Sequence, residues 1–379
     1  MATVARNDRD MIRVRNGTVT AVLARRPGAT EVAVAVEPSG AEARALGYDD
    51  LIGPLAAGDR VVLNTTAVAL GLGTGGLHLV MARIDGDGEL GGDAEGPGHL
   101  MKARYTPAQV RVLAVEEEAS PHRAAVEAVT DLAGLPVVCA ELHSMVPVVA
   151  AAVRAAGADL TVAYVMTDGA ALPLAFSRLS AEMRGCGLVV GIVTAGQAFG
   201  GDLEAITLYS GLAAAKAVLG ADVVVVAQGP GGAGTGTTFG YSGTQVAEAL
   251  NAVAALGGRP IACLRMSVAD RRERHRGVSH HSLTALGRLT LARVTVALPV
   301  LDPALGALVG QQLKEAGVAE RHELVAVHPQ HDPVELLAAW NLTVTTMGRG
   351  PDDDPVFFEA AAAAGALAAQ MVQMREAAG

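Results

Sequence analysis

Aromatic residues are scarce in this sequence: they make up 3% of its 379 residues, and there is one tryptophan. Proteins that hold single-stranded nucleic acid stack the bases on aromatic side chains, and this chain offers little material for such a surface. An excess of positive charge is also lacking, because 29 Lys and Arg residues against 39 Asp and Glu residues give a net charge of -10. An acidic chain repels polyanions. We therefore expect no nucleic-acid partner.

Cysteine is equally rare, with Cys139, Cys186 and Cys263 too few and too far apart for a disulfide framework or a zinc motif. Cys139 and Cys263 lie inside the apolar runs PVVCAEL and PIACLRM, where a buried thiol behaves as a small hydrophobe. The first residues, MATVARNDRDMIRVRNG, contain no apolar signal core, and we expect no uncharged run long enough to span a bilayer. These features favour a cytoplasmic protein without a membrane partner.

Apolar residues are abundant, at 51% of the chain, which is enough for a substantial core. Short strand-like runs separated by turn residues predict a small β-barrel or sandwich over residues 1–84. The glycine- and aspartate-rich stretch 85–98 predicts a linker or loop.

Residues 99–379 alternate between apolar strand-like runs and helix-like segments. Strands that are apolar throughout are typical of a parallel sheet with helices on both faces. We predict an α/β domain with a βα-repeating, mostly parallel sheet, and a closed (βα)8-like barrel is the alternative. The expected strands are RVLAVEE, PVVCAEL, TVAYVMT, LVVGIVT, DVVVVAQ, PIACLRM, VTVALPV, ELVAVHP and LTVTTMG, and LEAITLYSGLAAAKAVLG is an expected helix.

Polar and titratable residues follow most of these strands, at the edge where α/β proteins bind ligands. They include Glu116 to Glu118, Glu141, His143, Ser144, Thr167, Asp168, Thr194, Gln197, Gln228, Arg265, Ser267, His328, Thr345 and Thr346. General acid–base chemistry at strand ends suits histidine and carboxylate side chains. We take His143, Asp168 and His280 as the candidate catalytic residues.

The glycine-rich stretch GPGGAGTGTTFGYSG, residues 229–243, directly follows the apolar run DVVVVAQ. It contains G-x-G-x-x-G, but the helix pattern begins only near Thr244, and Arg265 stands where a dinucleotide fold has its acidic ribose ligand. It has no G-K-[ST] and is not a P-loop. Exposed backbone amides and hydroxyls before a helix N-terminus suit an anion. The predicted ligand-binding residues here are Gly229, Gly231, Gly232, Gly234, Thr235, Gly236, Thr237 and Ser242.

A second concentration, DRRERHRGVSHHS at 270–282, is locally basic in an acidic protein. Guanidinium groups bind phosphate and carboxylate in a bidentate manner, so we add Arg265, Arg274 and Arg276 to the predicted ligand-binding set. Ser279 is expected to cap the helix that follows.

Several histidines and carboxylates could in principle assemble a metal site: His143, His275, His280, His281, His328 and His331 with Glu141, Asp168 and Asp332. The sequence H-P-Q-H-D at 328–332, however, lacks the glutamate and the helix of a zincin, and Pro329 indicates a turn. We assign no metal ligand, and the cofactor is unknown.

Several long segments together resemble an uncharacterised bacterial family, DUF 3866. They are LNTTAVALGLGTGG, GHLMKARYTPAQVRVLAVEE, ELHSMVP, YVMTDGAALPLAFSRL, AFGGDLEA, GPGGAGTGTTFGYSG and RHRGVSHHSLTALGR, and they run over nearly the whole chain. The resemblance implies that the two predicted regions form one architectural unit, but it implies no activity and no functional residues.

The sequence favours an enzyme or binder for a small anionic metabolite, including phosphorylated ones, and does not specify the reaction. One alternative is a non-catalytic oligomeric scaffold or regulatory protein. The apolar composition and the helix FFEAAAAAGALAAQMVQM favour a homo-oligomer under either hypothesis. A second alternative is an NADP-dependent oxidoreductase, since Arg265 would suit a 2′-phosphate.

Overall fold

A computed structural model describes residues 12–84, 97–328 and 330–378. The contacts between Cα atoms divide the chain into two units, Met1–Gly96 and Pro97–Gly379. The predicted linker at 85–98 lies outside the described residues except for Pro97 and Gly98.

The first unit is a closed five-stranded barrel with the strand order β1-β2-β3-β5-β4. Two register shifts in the long strand β1, after Val19 and after Val22, let it bend and pair with both β2 and β4. Inward-facing residues such as Val32, Val34 and Leu63 fill the interior. Its elements are β1 (Val14–Arg26), β2 (Ala29–Val36), β3 (Ala41–Tyr48), α1 (Asp49–Ile52), β4 (Arg60–Asn64), α2 (Thr66–Ala69) and β5 (Leu77–Arg83).

The second unit contains an eight-stranded parallel sheet and two small antiparallel pairs. The small pairs are β6 (Leu100–Lys102) with β7 (Val110–Val112), and β14 (Met266–Ser267) with β15 (Gly277–Val278). The strands of the large sheet are β8 (Pro136–Ala140), β9 (Val162–Thr167), β10 (Gly191–Ala195), β11 (Leu203–Ala205), β12 (Val223–Gln228), β13 (Arg259–Cys263), β16 (Thr295–Pro299) and β17 (Glu323–Val327).

The strand order of the large sheet is β11-β10-β9-β12-β8-β13-β16-β17, so β11 and β17 end the sheet and do not pair with each other. The sheet is therefore open. The predicted α/β fold with a parallel sheet is confirmed, and the closed (βα)8-like barrel alternative is wrong. The helices are α3 (Arg123–Glu127), α4 (Val146–Ala156), α5 (Arg178–Gly185), α6 (Leu208–Ala217), α7 (Gln245–Ala255), α8 (His280–Thr284), α9 (Pro303–Glu315), α10 (Val318–Arg321), α11 (Pro333–Ala338) and α12 (Pro355–Ala378).

Helices cover both faces of the sheet because successive strand residues point to opposite sides. In β8, Val138 and Ala140 join the core formed with α4 and α12, whereas Val137 and Cys139 join the core formed with α6 and α7. Strands β8, β9, β10 and β12 are buried along their whole length, so these strands are continuous apolar runs in the sequence.

Helix α12 lies against α4 and contacts several strands of the sheet. Its segment Pro355–Arg375 has the length and the hydropathy of a membrane-spanning helix, contrary to the expectation from the sequence that no run approaches that length. However, 78% of its most apolar window is buried inside the protein. A continuous series of alanines lets α12 approach its neighbours closely.

Three segments differ from the predicted elements. RVLAVEE contributes only the end of the small strand β7, and Leu203–Ala205, expected to begin a helix, pairs with β10 as the edge strand β11. LTVTTMG lies outside the sheet, and it ends in a turn in which Met347 has a positive φ of 49°. Its Leu342 and Val344 still enter the core, so apolar character alone misled the prediction.

Candidate functional site

The neighbouring strands β12, β8 and β13 present polar residues at their carboxyl ends. Gln228 ends β12, Glu141 follows β8, and Arg265 follows β13. After β8 the chain continues to β9, which lies toward the β11 end of the strand order. After β13 it continues to β16, which lies toward the β17 end. Such a switch in direction opens a crevice at the carboxyl ends of the strands, where open α/β sheets bind their ligands.

Glu141 is the centre of a buried polar cluster. Its Oε1 accepts hydrogen bonds from Nη1 of Arg265 at 2.9 Å and from Nδ1 of His281 at 2.6 Å. Burial opposes ionisation of Glu141, but the hydrogen bonds and charges of His281 and Arg265 outweigh that effect and hold its pKa below the usual value. The carboxylate is therefore ionised at neutral pH, and Arg265 provides its countercharge.

A glycine makes room for this carboxylate. A Cβ atom at Gly243 would lie 2.6 Å from Cγ of Glu141, which is closer than real Cβ contacts allow. Gly243 belongs to the short helical turn that leads into α7. Glu141 therefore packs directly against the N-terminal approach to α7, where partial positive charge favours an anion.

Tyr241 fixes the orientation of His281. The two rings stack with their centroids 3.8 Å apart and their planes inclined by 1°. The Tyr241 hydroxyl donates to the backbone oxygen of His281 at 2.7 Å. The His281 side chain is thus held by stacking on Tyr241, by the hydrogen bond from Tyr241 to its own backbone oxygen and by the Glu141 carboxylate.

His275 and His280 lie beside His281, and the three histidines offer ligand atoms within 4.8 Å of one another. Ser279 is the N-cap of α8 and accepts from the His281 amide, which confirms the cap expected from the sequence. The Ser279 hydroxyl is also 2.8 Å from Nδ1 of His275. Among the described residues, these three form the one group of His, Cys, Asp or Glu side chains whose ligand atoms lie close enough together to hold a metal ion.

A cavity of about 240 Å³ opens at this edge of the sheet. Arg265 and Arg272, which line the cavity, are positively charged. Glu141 and His281 of the buried polar cluster also line it. Arg272 is held by Asp270 through bonds of 3.0 and 2.8 Å. The complete lining is Glu141, Leu142, Gln228, Gly232, Ala233, Gly234, Ser242, Gly243, Arg265, Arg272, His281 and Met347.

The glycine-rich loop forms a small hairpin beside the cavity. Ser242 donates its amide to the oxygen of Ala233, and Thr235 donates its amide to the oxygen of Gly240. The Ser242 hydroxyl accepts from the amide of Ala233 at 3.0 Å. Gly232 lies so close to Gln228 that an added Cβ would be 2.6 Å from Nε2. The base of the loop is therefore ordered by its own bonds and packs on the end of β12.

The predicted ligand-binding residues divide into two groups. Those that line the cavity are Gly232, Gly234, Ser242 and Arg265. Gly229, Gly231, Thr235, Gly236, Thr237, Arg274 and Arg276 lie outside its lining. The hydroxyls of Thr235 and Thr237 bond to each other and to the loop backbone, and the guanidinium of Arg274 lies against Gly236.

His143, a predicted catalytic residue, is buried below this edge. Its Nε2 is 2.7 Å from the Ser177 hydroxyl and its Nδ1 is 3.2 Å from the Tyr164 hydroxyl. Burial lowers its pKa to about 4, so the ring is neutral at physiological pH. Both ring nitrogens are engaged inside the protein, and the residue has the contacts of a satisfied core histidine.

Asp168, the second predicted catalytic residue, lines a separate cavity of about 110 Å³ with Thr167, Gln245 and Glu248. Its carboxylate accepts from the Gln197 amide at 2.9 Å and from Nε2 of Gln245 at 3.3 Å. His280, the third, lies with His275 and His281 and has its Nε2 buried without a hydrogen-bond partner among the described residues. The structure therefore does not bring the three predicted catalytic residues together.

Sequence reasoning did not assign a role to Glu141, Gln228, Tyr241, Arg272 or His281. Glu141 and Gln228 were recognisable as strand-end residues, and Arg272 and His281 lie in the basic segment already singled out. Tyr241 carried no signal, because its role depends on stacking with a residue that is 40 positions away.

Comparisons with known proteins place residues 44–365 in a family described as a protein of unknown function, DUF3866. Neither the curated proteins nor the solved structures contain a significant match to the chain.

Proposed function

The chain belongs to the DUF3866 family, and we propose that it binds and acts on a small anionic metabolite in the cavity at the carboxyl edge of the parallel sheet. The observation that carries the proposal is the meeting, in one cavity of about 240 Å³, of two arginines, the buried Glu141–His281 pair and the base of the glycine-rich loop. Ligand pockets for larger molecules usually measure about 300 to 1,000 Å³. The smaller volume here favours a compact ligand.

Positive charge and backbone donors support an anion. Arg265 and Arg272 both line the cavity, and guanidinium groups match carboxylate and phosphate oxygens. Gly232 and Gly234 also line it, and the chain continues through Ser242 into α7, whose N-terminal end carries partial positive charge.

The ligand should also carry a hydrogen-bond donor. Glu141 lines the cavity, and its Oε2 is buried without a hydrogen-bond partner among the described residues. A buried carboxylate oxygen without a partner costs free energy, which a donor on the ligand would recover. A hydroxy acid, an amino acid or a phosphate ester with a free hydroxyl has both groups.

The test is a thermal-shift screen against inorganic phosphate, hydroxy acids, amino acids, sugar phosphates and nucleotides, including NADP. We expect a hit among the compact anions, because a ligand at 100 times its Kd stabilises the fold by about 2.7 kcal/mol. Arg272→Ala should weaken binding roughly 10- to 100-fold, since hydrogen bonds to charged groups contribute about 1.5 to 3 kcal/mol. Asp270 also pairs with Arg349 at 3.6 Å, so Arg272→Ala does not leave its buried carboxylate without a cation, and circular dichroism checks that the variant is folded.

Arg271→Ala is the matched control, because Arg271 is an exposed neighbour that does not line the cavity. It should leave the shift unchanged. A panel without any hit, or equal losses in both variants, would overturn the proposal and favour the scaffold alternative.

A further inference from the structure

The imidazoles of His275, His280 and His281 form a compact group at the border of the cavity. Their ring centroids are separated by 4.3 Å for His280 and His281 and by 5.0 Å for each of the other two pairs. One ligand atom from each residue lies within 4.8 Å of the other two. Around a tetrahedral zinc ion, with Zn–N bonds of about 2.1 Å, the nitrogens stand roughly 3.4 Å apart. Coordination of zinc would therefore require side-chain rotations that bring these atoms closer together.

Two of these rings are oriented by contacts at Nδ1, which leave Nε2 for a metal. Nδ1 of His281 is 2.6 Å from Glu141 Oε1, and Nδ1 of His275 is 2.8 Å from the Ser279 hydroxyl. Arg265 Nη1 also approaches Nδ1 of His281, at 3.3 Å, but the shorter contact to a carboxylate assigns the proton to Nδ1. Metal-binding histidines are held in this way by carboxylates and other polar groups.

His280 supplies an independent observation. Its Nε2 is buried and has no hydrogen-bond partner among the described residues. A buried imidazole nitrogen without a partner carries a desolvation cost, and coordination to a metal would remove it. Tyr241 stacks on His281, which explains the position of that ring. This contact does not provide a hydrogen-bond partner for Nε2 of His280.

Two carboxylates offset the charge of two arginines near the cluster. Arg265 is paired with Glu141, and Arg272 is paired with Asp270.

We propose that His275, His280 and His281 bind a divalent transition-metal ion of the zinc type. Imidazole ligands suit such ions, and three protein ligands leave a fourth tetrahedral position for water or for an oxygen of a substrate. His281 also lines the cavity, so this position adjoins the space assigned to the anion. The metal site stands on the histidine geometry and does not require the anion proposal.

The test uses the full chain after removal of metals with a chelator. Zn²⁺ affinity is measured by competition with a chromophoric chelator, and Co²⁺ is added separately to record the visible bands of a tetrahedral complex. We expect about one equivalent of ion per chain, as for a three-histidine site. His275→Ala and His280→Asn should each weaken binding by more than about 100-fold, beyond the 10- to 100-fold typical of outer contacts such as Glu141.

His328→Ala and His331→Ala are the controls, because both imidazoles are exposed and lie outside the cluster. Circular dichroism confirms that each variant is folded, and His280→Asn keeps a polar side chain of similar size. Absence of stoichiometric binding, or binding that only the control substitutions abolish, overturns the proposal. Anion binding by the metal-free protein is measured separately, so failure of either proposal is recognised by itself.

Discussion

Glu141 accepts a hydrogen bond of 2.6 Å from Nδ1 of His281, a residue 140 positions later in the chain. The same carboxylate oxygen accepts from Arg265, and all three side chains are buried. This contact ties the end of β8 to α8 and places an oriented imidazole on the wall of the cavity. The stability of the cluster, of the loop beside it and of the core below it should therefore respond to single substitutions.

Glu141→Gln should destabilise the protein by about 3 to 5 kcal/mol, because it leaves the Arg265 charge buried without its partner. Glu127→Gln is the control, since Glu127 forms an exposed pair with Arg123 within α3 and should cost less than about 1 kcal/mol. Urea denaturation measures both free energies of unfolding. Equal values would show that the Glu141–Arg265 pair contributes no more than a surface pair.

Gly232→Ala should destabilise the base of the loop by about 1 to 3 kcal/mol, as overpacking does in well-packed regions. The new Cβ would lie 2.6 Å from Nε2 of Gln228, which donates to the backbone oxygen of Glu141. Gly234→Ala in the same loop meets its nearest atom at an ordinary 3.6 Å and should change the free energy of unfolding far less. A larger loss at Gly234 would contradict the packing described for the loop.

Gly365→Ala should destabilise the protein even though alanine favours helices. In α12, an added Cβ would overlap the backbone oxygen of Val149 in α4, so the helices must separate, at about 1 to 3 kcal/mol. Gly310→Ala, in the interior of α9, meets no atom within 4 Å and should stabilise by about 0.5 to 1 kcal/mol. The unfolding temperature of Gly365→Ala should therefore fall, and that of Gly310→Ala should rise. Changes of the same sign in both variants would contradict the packing described for α12.

His143 should make the protein less stable as the pH falls below about 6.5. Its pKa in the folded protein is lowered to about 4 by burial, so the unfolded chain binds a proton on this residue first. Between these pH values the free energy of unfolding falls by up to about 1.4 kcal/mol per pH unit from this residue alone.

His143→Gln removes that contribution and should give a shallower loss of stability between pH 6.5 and 4.5. The other buried histidines are the same in both proteins, so their effects cancel in the comparison. His99→Gln is the control, because the His99 side chain is 92% exposed. Parallel stability curves for the wild type and His143→Gln would show that burial of His143 does not shift its protonation.

The sequence predicted the parallel sheet because its central strands are apolar on both faces, a pattern typical of strands that helices cover on both sides. It also indicated the edge of the sheet where the cavity lies, since polar residues follow these strands directly. It did not identify LTVTTMG as a core loop or Leu203–Ala205 as a strand. Local patterns do not say whether apolar residues pack against a sheet or pair within it, and an edge strand as short as β11 carries little periodicity.

The composition of the site was harder to predict than its location. Glu141 lies 124 positions before Arg265 and 140 before His281, and the contact of its carboxylate with them depends on the strand order β12-β8-β13, which no local pattern encodes. The basic segment was recognised, but which of its arginines face the cavity depends on the fold: Arg272 lines it, whereas Arg274 lies against the loop at Gly236. The expected homo-oligomer and the cytoplasmic location stay predictions.

The most direct test of the central claim is a crystal structure of the protein with the best anion from the thermal-shift screen. We predict density for the anion in the cavity, with its charged group contacting Arg265 and Arg272 beside Gly232 and a donor group within hydrogen-bond distance of Glu141 Oε2. An ordered anion elsewhere on the protein, with the cavity holding only water, would contradict the account.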